Sequence, residues 1–391
     1  MCYAIPGKVV EIKDKLVTVE YFGEKRTAKN DFYRLSLGDY IYAQGGFVVQ
    51  KMKEADALPI LDGWRELFFQ LQKKDNAQSN NPKTLYQRAN FIRNKHLGNA
   101  CCVHGIIEFS NYCRNDCLYC GLRNSNSELA RYRMDTDEIV QTAEYSFGEL
   151  GFKALVLQSG EDTWYTGEKL VQIVRDLRKK AQVFLIVSIG ERDLEIYREL
   201  YKEGARGVLL RFETSNSSLY SKMRPGYTLE ERLRLIKKLV EMGYLAMTGF
   251  LIGLPGQSQE DLMRDIELCG SLHPEMFSFG PYIPHPKTPL AHEKPPSIDM
   301  VLETIAQTRL KFPESKILAT TATGTLDKEG FKFALLAGAN SLMINVTPQK
   351  YQPLYELYPN RQGVGISLAQ QVAQTVELLH SLGRAPTDLG L

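Results

Sequence analysis

In the first fifty or so residues the apolar positions recur at every second place. Lys8-Val-Val-Glu-Ile-Lys13 and Leu16-Val-Thr-Val-Glu-Tyr21 alternate in this way, with Asp14-Lys15 between them. Such alternation predicts two half-buried strands joined by a hairpin turn. Tyr40 to Val49 predicts a further strand, in which Gly45-Gly46 marks a bulge or a close backbone approach. Leu58–Leu71 has helical spacing instead. The polar run from Lys73 to Lys83, with clustered Asn and a Pro, reads as a linker.

From residue 84 the pattern changes. A short leading helix, Leu85–Lys95, precedes near-continuous Val/Ile/Leu runs at Val103–Phe109, Ala154–Gln158, Val183–Ile189, Gly207–Phe212, Tyr244–Ile252, Met276–Gly280, Lys316–Thr321 and Ser341–Asn345. Runs of this kind are strands buried on both faces of a parallel sheet. Amphipathic helices separate them, among them Asp137–Leu150, Gly167–Lys180, Leu229–Met242 and Gln259–Cys269, with a last one at Leu368–Leu382. About eight strand–helix units predict an α/β fold: a closed (β/α)8 TIM-type barrel over 84–391. A small β-rich module at 1–72 and a linker at 73–83 precede it. A doubly wound open sheet is the alternative, but it carries a Gly-rich phosphate loop after its first strand. Here cysteines take that place.

The 391 residues are 43% hydrophobic and 24% charged, an ordinary globular composition. A net charge of +2 makes no electrostatic case for a nucleic-acid partner. No apolar run approaches the roughly 18 residues that span a bilayer, so no membrane partner is expected. The opening residues lack a signal-peptide pattern. The expected compartment is the cytoplasm, where seven cysteines stay reduced.

Chemistry concentrates where barrel strands end. After the first comes Cys113-Arg-Asn-Asp-Cys117-Leu-Tyr-Cys120. Three close thiols can hold three irons of a 4Fe–4S cube, whose fourth ligand is ordinarily another cysteine. None follows nearby, so the fourth iron is open to a chelating molecule such as S-adenosylmethionine (SAM). A structural zinc site would need a fourth ligand in the loop. Tyr119 either covers the cluster or adenine, or simply packs.

The second strand ends Gln158-Ser159-Gly160-Glu161-Asp162. There an exposed backbone edge and a carboxylate suit an ammonium group, and a helix-capping loop is the plainer reading. Ser188 and Glu191, after the third strand, either bond ribose hydroxyls or cap. Arg211 and Glu213 share one face of the fourth strand, and charges inside a barrel need a partner or a ligand. At Gly249-Phe-Leu-Ile252-Gly the backbone can face a flat base. Thr320 and Thr321 head a hydroxyl-rich run suited to carboxylate or diatomic ligands. Tyr351 and Tyr355 are candidate walls of the same cavity.

Two resemblances sharpen this. Met1-Cys-Tyr-Ala-Ile-Pro-Gly-Lys and Gly38-Asp-Tyr-Ile-Tyr-Ala-Gln-Gly-Gly-Phe47 resemble the HypC/HupF hydrogenase-maturation chaperones. That resemblance implies a small OB-like domain and an iron cyano-carbonyl fragment carried on Cys2. Gln44 stands where that family usually has His. Residues 100–360 resemble the HydE radical-SAM maturases of FeFe-hydrogenase assembly, in the biotin-synthase-like group. The likeness is carried by Ile106-Ile-Glu-Phe-Ser-Asn-Tyr-Cys113, Leu210-Arg-Phe-Glu-Thr214, Gly280-Pro-Tyr-Ile-Pro-His-Pro286 and Thr320-Thr-Ala-Thr-Gly-Thr325.

The second resemblance implies a 4Fe–4S cluster on Cys113, Cys117 and Cys120, with SAM on its open iron. It also implies reductive cleavage to a 5′-deoxyadenosyl radical and a small thio-ligated or iron carbonyl–cyanide substrate. An electron donor such as ferredoxin or flavodoxin and other maturation proteins are the implied partners. His104 replaces an Arg typical of the family's first strand, which makes it a candidate substrate residue. A metallochaperone carrying its cargo on Cys2, and a mutase of the methylornithine-synthase type, are the alternatives.

Overall fold

In the computed structural model, residues 3–390 are described. Cys2 lies outside them.

The first module is a closed five-stranded barrel of β1 (Gly7–Lys13), β2 (Leu16–Tyr21), β3 (Glu24–Lys29), β4 (Tyr40–Gln44) and β5 (Phe47–Met52). Its strand order, β1-β2-β3-β5-β4, agrees with the OB-like expectation. The single strand expected at Tyr40–Val49 is a hairpin instead. Gly45 and Gly46 form its tip, both at positive φ.

α1 (Glu54–Ser79) follows. It corrects the reading of 73–83 as a linker, because the helix continues through Ser79. The polar residues there have buried partners. Asp75 receives Arg93 at 2.6 Å from α2 (Leu85–Leu97) and lies 3.1 Å from Arg384 near the far end of the chain. Polar composition therefore marks an internal ion cluster, which no local pattern reveals.

The large barrel strings together β6 (Ala100–Ser110), β7 (Ala154–Ser159), β8 (Phe184–Ser188), β9 (Gly207–Leu209), β10 (Leu245–Thr248), β11 (Leu251–Ile252), β12 (Met276–Phe277), β13 (Gly280–Pro281), β14 (Lys316–Ile317), β15 (Ser341–Asn345) and β16 (Ala385–Pro386). Eight of these run in the order β14-β12-β10-β9-β8-β7-β6-β15, each pair parallel. A parallel bridge from Leu318 to Ser341 joins the two ends and closes the ring. β16 adds to β6 from outside, and β11 pairs β13 separately.

Around the strands lie α3 (Thr136–Gly148), α4 (Gly167–Lys180), α5 (Leu194–Lys202), α6 (Ser217–Met223), α7 (Leu229–Glu241), α8 (Gln259–Ser271), α9 (Ile298–Lys311), α10 (Thr321–Leu326), α11 (Gly330–Leu336) and α12 (Leu368–Ser381). Many start on a side-chain cap, such as Thr166, Thr228, Ser258 and Ser367. No helix among the described residues is long and apolar enough to cross a membrane.

One buried cluster explains how the two barrels meet. Ile106, Val156, Ile186, Met247, Met276 and Leu318 fill the waist of the large barrel, and Tyr42, Phe47 and Val49 of the module join them. The module therefore plugs the mouth at which the strands begin. Gly45 makes the approach possible: a Cβ there would sit 2.8 Å from the Phe184 ring. The opposite mouth, where the strands end, is left for chemistry.

Candidate active site

β6 ends at Ser110 and releases the cysteine loop into that open mouth. Cys113, Cys117 and Cys120 all line a cavity of about 450 Å3. Backbone bonds pin the loop: Arg114 N–H donates to Glu161 O (3.1 Å), Leu118 N–H to Met223 O (2.9 Å) and Gly121 N–H to Leu357 O (2.9 Å). Gly160 lets the loop lie against the end of β7. A Cβ there would be 2.2 Å from Tyr112 O and 2.9 Å from Cys113 Cβ.

The thiols themselves test which metal group fits. Burial pushes Cys117 up to about 11, while Arg224 pulls the other way. Burial, then the charges of Cys117 and Cys113, push Cys120 up. Such thiols become thiolates together when a metal centre supplies positive charge. Among the described residues, their three Sγ atoms do not form a group within 4.8 Å of one another. Thiolates around one zinc ion, each at about 2.3 Å from it, would be closer than that. The wider triangle fits a cluster with three protein-bound corners. Tyr119 also lines the cavity, and its hydroxyl bonds to Cys117.

Beside the thiols lie Gln158, Ser159, Gly160, Glu161, Ser188, Arg211 and Glu213. Ser188 Oγ donates to Gln158 Oε1 at 3.3 Å. Arg211 and Glu213 face inward together, 3.3 Å apart, and Phe212 points away into the core. Glu213 has φ of 66°. A non-glycine residue held there costs on the order of 1–3 kcal/mol and is typical of functional sites. Its N–H donates to Gly249 O, and its carbonyl accepts from Leu251 N–H, which keeps it in place.

Glu161 lines the cavity, but in company that the strand-end reading missed. Its carboxylate is 3.2 Å from Arg114, 3.8 Å from Arg224 and 4.0 Å from Arg232. An ammonium group is poorly served by a carboxylate already shared among three guanidiniums. Glu191 stands behind the wall rather than in it, 2.9 Å from Arg232 and 3.6 Å from Arg224. Burial raises its carboxyl. Arg224 caps α6 and Arg232 lies on α7, where arginines ordinarily face solvent; no local signal sets them apart. Ile252 is likewise behind the wall, paired with Pro281, and its neighbour Leu251 faces the cavity.

The far end of the cavity is polar. Thr320 and Thr321 line it, with Tyr355, Tyr358 and Asn345. Thr321 Oγ1 and Tyr358 OH are 2.9 Å apart. Glu108 and Arg361 form a buried ion pair at this end, and Asn345 Nδ2 donates to Glu108 Oε2 at 2.8 Å. The acid at 108, set between apolar Ile106-Ile107 and Phe109, is a readable sign. Arg361 comes from an irregular loop and is not. Tyr351 does not reach the cavity: it stacks on Tyr132, and its hydroxyl donates to Glu138 at 2.8 Å.

His104 is also elsewhere. It is in step with Ile106 and Glu108 on β6 and so points inward. It sits at the plugged end, with Nε2 3.3 Å from Asp388. It is not among the residues that line the cavity.

Comparison with known proteins agrees with this geometry. Residues 1–64 match the HupF/HypC family, 107–269 the Radical SAM superfamily, and 278–385 the Biotin and Thiamin Synthesis associated domain. The chain is 41% identical to the [FeFe] hydrogenase maturase subunit HydE of Thermotoga maritima, over 78% of this chain and 87% of that protein. It is 31% identical to 3-methylornithine synthase of Methanosarcina acetivorans, over 66% of this chain and 72% of that one. The crystal structure of methylornithine synthase superposes with a TM-score of 0.68 at 25% identity, covering 82% of this chain and 97% of that one. The chain is an enzyme of the radical SAM superfamily and belongs to the family of the HydE maturase, with a HupF/HypC-family domain in front of its barrel.

Proposed function

We propose that this enzyme cleaves SAM reductively and acts on a small thio-ligated or iron carbonyl–cyanide substrate during hydrogenase cofactor maturation. The observation that carries the reading is one cavity lined both by the three thiols and by hydrogen-bonding and charged side chains. The family implies a 4Fe–4S cluster and SAM, which together supply a 5′-deoxyadenosyl radical. Cys113, Cys117 and Cys120 would hold the cluster. Arg211 offers charge to the SAM carboxylate, and Ser188 and Glu213 offer acceptors to its ammonium and ribose hydroxyls. The apolar plug of the barrel and the buried walls keep water from a reactive species. Thr320, Thr321, Tyr355 and Arg361 would orient the substrate.

Anaerobic reconstitution should give roughly four irons per chain. SAM and dithionite should then yield 5′-deoxyadenosine. Thr320→Val and Arg361→Met should slow substrate consumption and leave substrate-free SAM cleavage in place. A cluster that binds but never cleaves SAM would defeat the proposal. The likeness to methylornithine synthase favours a second reading, an amino-acid mutase. Formation of 3-methylornithine by the reconstituted enzyme would select it. The metallochaperone reading rests on Cys2, outside the described residues. Loss of CO and CN infrared bands in Cys2→Ala would support it.

A further inference from the structure

At the plugged end of the barrel, away from the cavity, three side chains of different donor type converge. Cys102 and His104 lie two residues apart on β6 and so share its inward face. Asp388 arrives from the segment after β16, which runs beside the start of β6. One ligand atom from each lies within 4.8 Å of the other two. All three are buried, at 2%, 3% and 2% exposure. His104 Nε2 is 3.3 Å from Asp388 Oδ2. His104 Nδ1 is buried and has no hydrogen-bond partner among the described residues. Asp388 Oδ2 also accepts from Thr387 Oγ1 at 3.0 Å.

We propose that Cys102, His104 and Asp388 form a binding site for one divalent metal ion of the zinc class, separate from the cluster loop. One thiolate sulfur, one imidazole nitrogen and one carboxylate oxygen are the donor set that zinc accepts, with a fourth position open. Binding replaces the Cys102 S–H bond by a sulfur–metal bond and releases that proton to solvent. Thiolate and carboxylate together balance the two charges of the ion. Lys316, the nearby cation, is already paired with Glu275. Once bound, the ion ties the last residues of the chain to the first strand of the barrel, beneath the module. Its role is therefore structural.

The test uses the full-length protein with its cluster reconstituted and then equilibrated with Zn2+. Elemental analysis should find about one zinc per chain, and X-ray absorption at the zinc edge should show a single sulfur near 2.3 Å with lighter atoms at about 2.0–2.1 Å. Cys102→Ser and Asp388→Asn should each lower zinc at least tenfold with iron unchanged. A chelator should lower the melting temperature of the parent protein and leave that of the variants alone. Asp388→Asn keeps the shape of the site, so the test stands if Cys102→Ser fails to fold. Zinc absent from the parent, zinc retained in both variants, or a shell of three sulfurs, which would place the ion in the cluster loop, each overturns the proposal.

Discussion

The two mouths of the large barrel are made by the same strands and have opposite characters. At the mouth where strands begin, Tyr42, Phe47 and Val49 of the module meet Phe184 and the apolar waist, and the ends are sealed. At the mouth where strands end, the inward positions turn charged: Glu108 on β6, Arg211 and Glu213 after β9, with Arg224, Arg232 and Arg361 brought in from outside the ring. Strand polarity explains the division. Carbonyl-end loops in a parallel barrel are free to vary, whereas the other end carries stability. The module exploits this by covering the end that has no chemistry to lose.

The contrast predicts that damage at one mouth spares the properties of the other. The largest effect should come from Cys117→Ala. It removes one of three cluster corners, so iron content should fall sharply and 5′-deoxyadenosine should drop to background. Its circular dichroism should match that of the parent protein in the apo state. Asp75→Ala should do the reverse. It leaves Arg93 and Arg384 buried without their carboxylate and should cost about 3–5 kcal/mol in urea unfolding. The apparent affinity for SAM should not move.

A smaller effect concerns pH. Lys153 packs on the rings of Tyr42 and Phe147 where module meets barrel, and burial lowers its ammonium to about 8. The unfolded lysine titrates near 10.4, so between about pH 8 and 10.5 the unfolded chain holds more protons. Stability should therefore rise with pH across that window, by about 1–3 kcal/mol. Lys153→Met should flatten the rise and stabilise the protein at neutral pH. Denaturation midpoints at several pH values check this. The smallest effect is Gly45→Ala, which puts a Cβ against Phe184 at positive φ and should cost about 1–2 kcal/mol. Equal stability of this variant and the parent would mean that the hairpin tip does not seat against the barrel.

Residues at the strand ends were readable. Arg211 and Glu213 both reach the cavity as expected, although β9 ends at Leu209 and bonds to Gly249 and Leu251, not strand pleating, hold Glu213 there, and the cysteine loop follows β6 as barrel topology requires. Residues one step off a wall were not: Glu191 and Ile252 sit behind it and Tyr351 outside it, since a loop's path decides which side chain turns in. Glu161 lines the cavity, but its spacing gives no sign of its arginine partners, because Arg224 and Arg232 lie some sixty to seventy positions further along the chain. His104 entered as a candidate substrate residue only through the family's Arg at that place, and it lies beside Asp388 and not among the cavity's lining residues.

Taken alone, the chain's order of residues determined the two barrels, the three-cysteine loop and the strand ends around it, because these depend on short-range spacing. Only the folded molecule decided which arginines neutralise Glu161 and Glu191, that the polar run through Ser79 is helix, and that Asp388 comes to lie beside Cys102 and His104. Each of those depends on charges meeting across long stretches of chain, where burial makes an unpaired group costly and packing alone selects its partner.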